Sequence, residues 1–182
     1  MYGLINKALK DMIQSEFGEE QWQAVFEASG IPQDSFLTMR SYDDQLTYAL
    51  AGAASEVLGA PVEACLEMFG VYWVKEVAAK AYGSLMDATG QDMVGFLANI
   101  NGLHDRITGT FLNYVPPEFQ IESIDEKHHR VHYISQREGL TPFVVGLFKG
   151  LADHFSCELE IQSQEPVGVD RGEHTVFEVT LQ

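Results

Sequence analysis

Positive charge is scarce in this chain of 182 residues. Its 11 Lys and Arg stand against 27 Asp and Glu, a formal net charge of −16. A nucleic-acid binder needs a basic footprint, so that class is excluded, and an anionic membrane surface is an equally poor partner. Only five of the residues are Arg, so each one placed inside a structured element is informative. Cysteine is scarce as well. Cys65 and Cys157 are far apart and form no CxxC pair, which removes zinc-knuckle and thioredoxin-type motifs. Two reduced thiols fit a cytosolic protein. No run of about 18 apolar residues occurs, so no membrane span is predicted. The opening Met1–Lys7 lacks the segments of a secretory signal, and the expected location is the cytoplasm. Walker loops, nucleophile elbows and dinucleotide-binding glycine patterns are also missing. The pairs Asp43/Asp44 and Glu158/Glu160 read as helix-start acids and a solvated face rather than a hydrolytic couple. No enzymatic turnover is expected.

What is present is a substantial apolar fraction, 46% of residues, patterned in two ways. The first two-thirds carry helical spacing. Helices are predicted over 2–16, over 19–29 with a stop at Gly30, and from Asp43-Asp44 to Gly59. A fourth starts at Pro61 and carries Val62, Cys65, Leu66, Phe69, Trp73 and Val77; a short one covers 81–88. The sixth runs from about Asp92 to Asn113 and stops before Pro116-Pro117, which cannot continue a helix. The last third alternates. Strands are predicted over Phe119–Asp125, Arg130–Gln136, Cys157–Gln162 and Thr175–Leu181, with a helix over Thr141–Phe155. The fold class expected is α+β, an N-terminal helical lobe followed by a small antiparallel sheet with a packed helix. One domain over 1–182 is expected, with a helical lobe over about 1–60 and a second lobe over about 61–182.

Two features carry chemistry. On the sixth helix Leu97, Ile100, His104, Ile107 and Phe111 are spaced 3, 4, 3, 4, one buried stripe with an imidazole in its middle. Alone, His104 reads as a core histidine bonded to a backbone carbonyl. The second feature is Tyr133-x-Ser135-x-Arg137. Residues at i, i+2 and i+4 of a strand share a face, so a phenol, a hydroxyl and a guanidinium stand in a row, all donors, the last able to grip a carboxylate twice. Alone, that triplet reads as an ordinary solvent-facing strand. Together, a row of donors and one neutral imidazole suit a flat cofactor with acid groups on its rim and a metal at its centre, which is haem.

With these residues the chain resembles the H-NOX family, the haem-nitric oxide/oxygen binding domains found as stand-alone bacterial sensors and as the sensor domain of soluble guanylate cyclase. The likeness runs from Met1-Tyr2-Gly3 to the final strand, and its most specific element is Tyr133-Ile134-Ser135-Gln136-Arg137 followed by Glu138-Gly139-Leu140. The resemblance implies haem b, iron protoporphyrin IX, with its propionates on Tyr133, Ser135 and Arg137. It implies His104 as the axial ligand to iron and Pro117 as the residue that presses the macrocycle out of plane. Gly3 and Gly146-Leu147 match further family positions. An acid at the start of the third helix pairs with the signature Arg in the family; Asp44 takes that place here, Asp43 being the alternate.

The distal side bears on the gas. Oxygen-binding members donate a hydrogen bond from a distal Tyr, and the matching position holds Phe143, which cannot donate. Ile5, Trp73, Val77 and Leu147 are further candidates for that wall, although the Trp73 indole N–H is a donor. The resemblance therefore implies NO, and also CO, at a five-coordinate ferrous haem. NO weakens the bond trans to it, so the link to His104 would lengthen, the strain against Pro117 would relax, and the two lobes would shift. A separate histidine kinase or diguanylate cyclase is the implied partner. The competing readings are an O2-binding haem sensor or store, and a haem-free structural adaptor. His128-His129-x-x-His132 reads as a solvated turn with His132 facing away from Tyr133, and Cys157 near His174 lacks the further ligands a zinc site needs.

Overall fold

A computed structural model of the chain describes residues 1–32, 35–109, 114–168 and 171–182. Three helices come first: α1 (Gly3–Phe17), α2 (Glu19–Ser29) and α3 (Asp44–Leu58). Then α4 (Val62–Tyr72) runs through a π-helical stretch, Trp73–Ala78, into α5 (Ala79–Thr89), and α6 (Met93–Thr108) follows. The last third holds β1 (Glu118–Ser123), β2 (His128–Ser135), α7 (Thr141–Phe155), β3 (Leu159–Pro166) and β4 (Glu173–Leu181). The sheet is antiparallel throughout, in the order β1-β2-β4-β3. This is the expected α+β architecture.

Local chemistry explains the boundaries. Asp43 caps α3 by accepting from the Gln45 N–H at 2.9 Å, and Asp92 caps α6 by accepting from Gly95 N–H at 2.7 Å. Gly30 and Gly59 close α2 and α3 in the left-handed conformation that glycine adopts without strain. The core forms two clusters. One gathers Leu9, Met12, Ile13, Trp22, Val25 and Leu50 with Phe69 of α4. The other lies between α7 and the inner sheet face, where Phe148 meets Phe177 edge-on at 5.1 Å.

The helix α7 crosses α4 backbone to backbone. A Cβ on Gly146 would lie 2.0 Å from the Glu67 carbonyl oxygen, and one on Gly70 would lie 2.2 Å from that of Phe143. Any side chain there would push the helices apart, so two glycines set how closely Phe143 and Leu147 approach Phe69 and Trp73. The π-helical stretch then adds one residue to the turn. Its wider spacing puts Trp73, Val74 and Ala78 on the wall of one cavity, while Val77 packs into the first core cluster instead.

Several expected boundaries shift. The short helix at 81–88 begins at Ala79, continues the α4 axis through the π stretch, and is broken at Tyr82 (φ −133°, ψ 17°). Phe111 and the expected helix end at Asn113 lie outside the described residues, as does Asp170 in the last turn. His128 and His129 belong to β2 rather than to a turn. The turn is shorter because Asp125 Oδ1 accepts from the Lys127 and His128 N–H groups at 2.9 Å each, and those bonds hold its carboxyl down at about 2. Cys157 precedes β3 because Ser156, at φ 54°, is still ending α7.

Candidate functional site

Between the helices and the inner sheet face lies a mostly apolar cavity of about 650 Å3. That volume is within the ordinary range for a small-molecule site, about 300–1,000 Å3. His104, Pro117, Tyr133, Ser135, Arg137 and Asp44 all line it. So do Ile5, Trp73, Phe143 and Leu147. Ten residues spread from position 5 to position 147 thus converge on one space, and Val77 is the candidate that does not reach it.

His104 arrives on α6. The Asn101 side chain clamps that helix to the first strand, donating to the Phe119 carbonyl at 2.6 Å and accepting from the Phe119 N–H at 3.0 Å. Burial pushes the imidazole pKa below its usual value of 6.5, and the nearby Pro117 carbonyl offsets this only in part. The ring is therefore neutral at pH 7. Its Nδ1 is buried with no completed hydrogen bond among the described residues. The Pro117 carbonyl bears on the ring but leaves Nδ1 without a completed bond, so the burial of this imidazole is only partly compensated from within the chain.

Tyr133 and Ser135 point inward from β2, at 2% and 9% exposure, so the solvent-facing reading of the triplet fails. Burial pushes the Tyr133 phenol up to about 12, and a hydrogen bond with Ser135 pulls weakly the other way. The phenol stays a donor at any ordinary pH. Arg137 differs from the expected comb because β2 ends at Ser135 and the arginine sits in the turn beyond it. Ser135 Oγ makes that turn by accepting the Arg137 N–H at 3.0 Å. The guanidinium then spans two parts of the chain. Its Nε donates to Asp44 Oδ2 at 2.8 Å, and one terminal nitrogen donates to the Val115 carbonyl at 2.9 Å. Asp44 also accepts from the Met1 ammonium, while Asp43, also on the cavity wall, caps the helix. Burial raises the Asp44 pKa, but the ammonium and Arg137 outweigh it, so the carboxyl ends below its usual value.

Sequence reasoning missed Tyr114. It lines the cavity next to His104, the two rings edge to face with centroids 6.2 Å apart, and burial raises its phenol pKa. Between a helical stripe and a proline pair it carries no periodic signal. The donor set, the orphaned imidazole and the apolar lining together fit haem: an imidazole nitrogen that could take iron, three donors that could hold acid groups, and apolar walls for the ring.

The sequence matches the haem-NO-binding family over residues 2–163. Soluble guanylate cyclase 89Db of Drosophila melanogaster is 27% identical over 155 residues, covering 85% of this chain and 23% of that protein. Soluble guanylate cyclase gcy-31 of Caenorhabditis elegans is 27% identical over 163 residues, with 89% and 23% covered. The chain thus spans about a quarter of the length of these curated relatives. Among solved structures, the fold matches an H-NOX protein from S. oneidensis in its Fe(II)NO state with a TM-score of 0.85 at 20% identity, covering 100% of this chain and 99% of that one. A point mutant of the unliganded Fe(II) H-NOX protein from K. algicida gives 0.85 at 21% identity, with 100% and 97% covered. The fold, the converging donors and the match over nearly the whole length leave one assignment: the chain belongs to the haem-NO-binding, or H-NOX, family of haem-based gas-sensor domains.

Proposed function

We propose that this domain holds haem b through His104, selects nitric oxide over oxygen, and passes the binding event to a separate signalling protein in the cytoplasm. The observation that carries the reading is the meeting of a neutral imidazole with an orphaned nitrogen and three donors on the wall of one cavity. When bound, haem supplies an iron centre with an open position for a diatomic gas. The residues do the rest. Tyr133, Ser135 and Arg137 hold the propionates. Pro117, on the cavity wall with His104, would pack on the ring. Phe143 packs against Phe69 at 5.2 Å and offers no hydrogen bond, which favours NO and CO over O2. A second reading, an O2-binding sensor or store, draws on the Trp73 indole N–H at the same cavity.

The chain's own contacts supply a route outward. His104 would be the link between the iron and α6, and Asn101 ties that helix to β1. Arg137 ties Val115, two residues before Pro117, to Asp44 of α3. A change at the proximal wall therefore pulls on the N-terminal helices. The partner in this reading is a histidine kinase or a diguanylate cyclase. Among the described residues no single helix is long and apolar enough to cross a membrane.

The visible spectrum of the purified, reduced protein tests this. The expected result is a five-coordinate ferrous band that ignores air and shifts with NO. A stable oxy band in air would overturn NO selection, and no haem band after reconstitution would overturn the haem reading. The propionate assignment has its own test. Replacing Tyr133 and Arg137 together with Ala removes charge-assisted bonds of about 1.5–3 kcal/mol each. Haem occupancy, read as the ratio of Soret to protein absorbance, is expected to fall well below wild type. Full retention would move the propionates elsewhere.

A further inference from the structure

The outer face of the sheet, turned away from the cavity, holds a histidine pair that gas sensing does not use. His132 on β2 and His174 on β4 are diagonal neighbours, since His132 is paired with Val176. Their ring nitrogens, His132 Nδ1 and His174 Nε2, lie 3.0 Å apart. Two nitrogens bound at about 2.1 Å to one ion, at right angles to each other, are separated by about that distance. The far nitrogen of His132, Nε2, is buried and makes no hydrogen bond among the described residues; the nearest charged group is Glu122 Oε1 at 3.8 Å. Metal-bound histidines commonly turn their other N–H toward a carboxylate, which fixes the tautomer. Glu122 lies on the Nε2 side, at 3.8 Å just beyond hydrogen-bond reach; a carboxylate there favours the tautomer with its proton on Nε2 and its Nδ1 lone pair toward His174. Glu122 is itself steadied by Arg130 at 3.4 Å, and Arg130 by Glu178 at 3.1 Å.

We propose that His132 and His174 form a two-histidine site for a divalent transition-metal ion that takes imidazole nitrogens at right angles, the class of Ni2+ and Cu2+. Glu122 is its positioning residue. Among the described residues no third His, Cys, Asp or Glu completes a set, so water fills the remaining positions. The arrangement was hidden in the sequence because the partners are 42 residues apart, whereas the neighbours of His132 in sequence, His128 and His129, direct attention to one strand.

Calorimetric titration of the haem-loaded protein of 182 residues with Ni2+ alone tests the site. One Ni2+ per chain is expected. His132→Ala and His174→Ala should each weaken binding at least about tenfold, and Glu122→Gln by roughly tenfold, as the loss of such a supporting carboxylate does elsewhere. His128→Ala, on the same strand, should leave it unchanged. An unaltered haem spectrum in each variant certifies the fold, and His174→Ala suffices if His132→Ala does not fold. No saturable binding by the wild type, binding that survives His174→Ala, or an equal loss in His128→Ala would each overturn the site.

Discussion

His104→Gly protein, purified after ordinary expression, is expected to contain almost no haem, and to recover a haem spectrum only when imidazole is supplied. The reasoning starts from what the substitution removes. His104 Nδ1 makes no completed hydrogen bond, and the one backbone group that bears on the ring is the Pro117 carbonyl. The ring's burial already disfavours its charged form, so no charge balance is disturbed. The fold should tolerate the change at the cost of glycine in a helix interior, about 1 kcal/mol. What goes is the imidazole that the proposed reading gives to the iron, and what is left is a space that free imidazole can fill. Added imidazole restores the donor but not its covalent tie to α6. The rescued protein should therefore bind gas without transmitting the event through Asn101 and the first strand. Haem absorbance per protein, with and without imidazole, is the measurement. Normal haem content and an unchanged spectrum in the glycine variant would remove His104 from the site.

Helices and strands were readable where a single periodicity ruled. The helix at Thr141–Phe155 has the predicted bounds because proline sits in its first turn and apolar residues repeat through it at helical spacing. The inward alternation of Phe177, Val179 and Leu181 in the final strand was equally plain. The π-helical stretch was not readable. Trp73–Ala78 has the composition of ordinary helix, and its close approach to α7, where a Cβ on Gly150 would lie 2.7 Å from that of Val74, leaves no mark on the sequence period. That one local irregularity is why Val77, in step with Trp73 on an ideal helix, leaves the cavity, while Ala78 joins it.

The candidate site divides along the same line. His104, Tyr133 and Ser135 announced themselves because each sits on a regular element whose period shows where its side chain points. Arg137 was found by the strand period for a reason that does not hold, since it lies beyond the strand; a serine-stabilised turn brings it back to the cavity. Its link to Val115 and the presence of Tyr114 came only from the fold, because the segment before Pro117 has no repeating pattern. Long-range pairs such as His132 with His174 are invisible for a different reason: strand register, with β4 inserted beside β2, brings them together.

Phe143→Tyr is the change with the largest expected effect on ligand choice. Phe143 lines the cavity from the first turn of α7, and Gly70 keeps its backbone close to α4. Tyrosine adds one hydroxyl to the same ring at nearly the same volume, so its packing on Phe69 is expected to survive. Bound O2 carries partial negative charge, and a hydrogen bond to a charged acceptor contributes about 1.5–3 kcal/mol. At 1.4 kcal/mol per factor of ten, that is roughly a 10- to 150-fold gain in O2 affinity. NO, whose bound form depends far less on a donor, should change little. The ferrous variant in air is then expected to show a stable oxy band where the wild type shows none, with NO binding retained in both. Trp73→Phe supplies the converse: it removes the one indole N–H on that wall and should leave the wild-type spectrum in air unaltered. If Phe143→Tyr still ignores air while binding NO normally, Phe143 does not face the gas. If wild-type protein forms an oxy band that Trp73→Phe abolishes, the donor is already present and the domain is an oxygen binder.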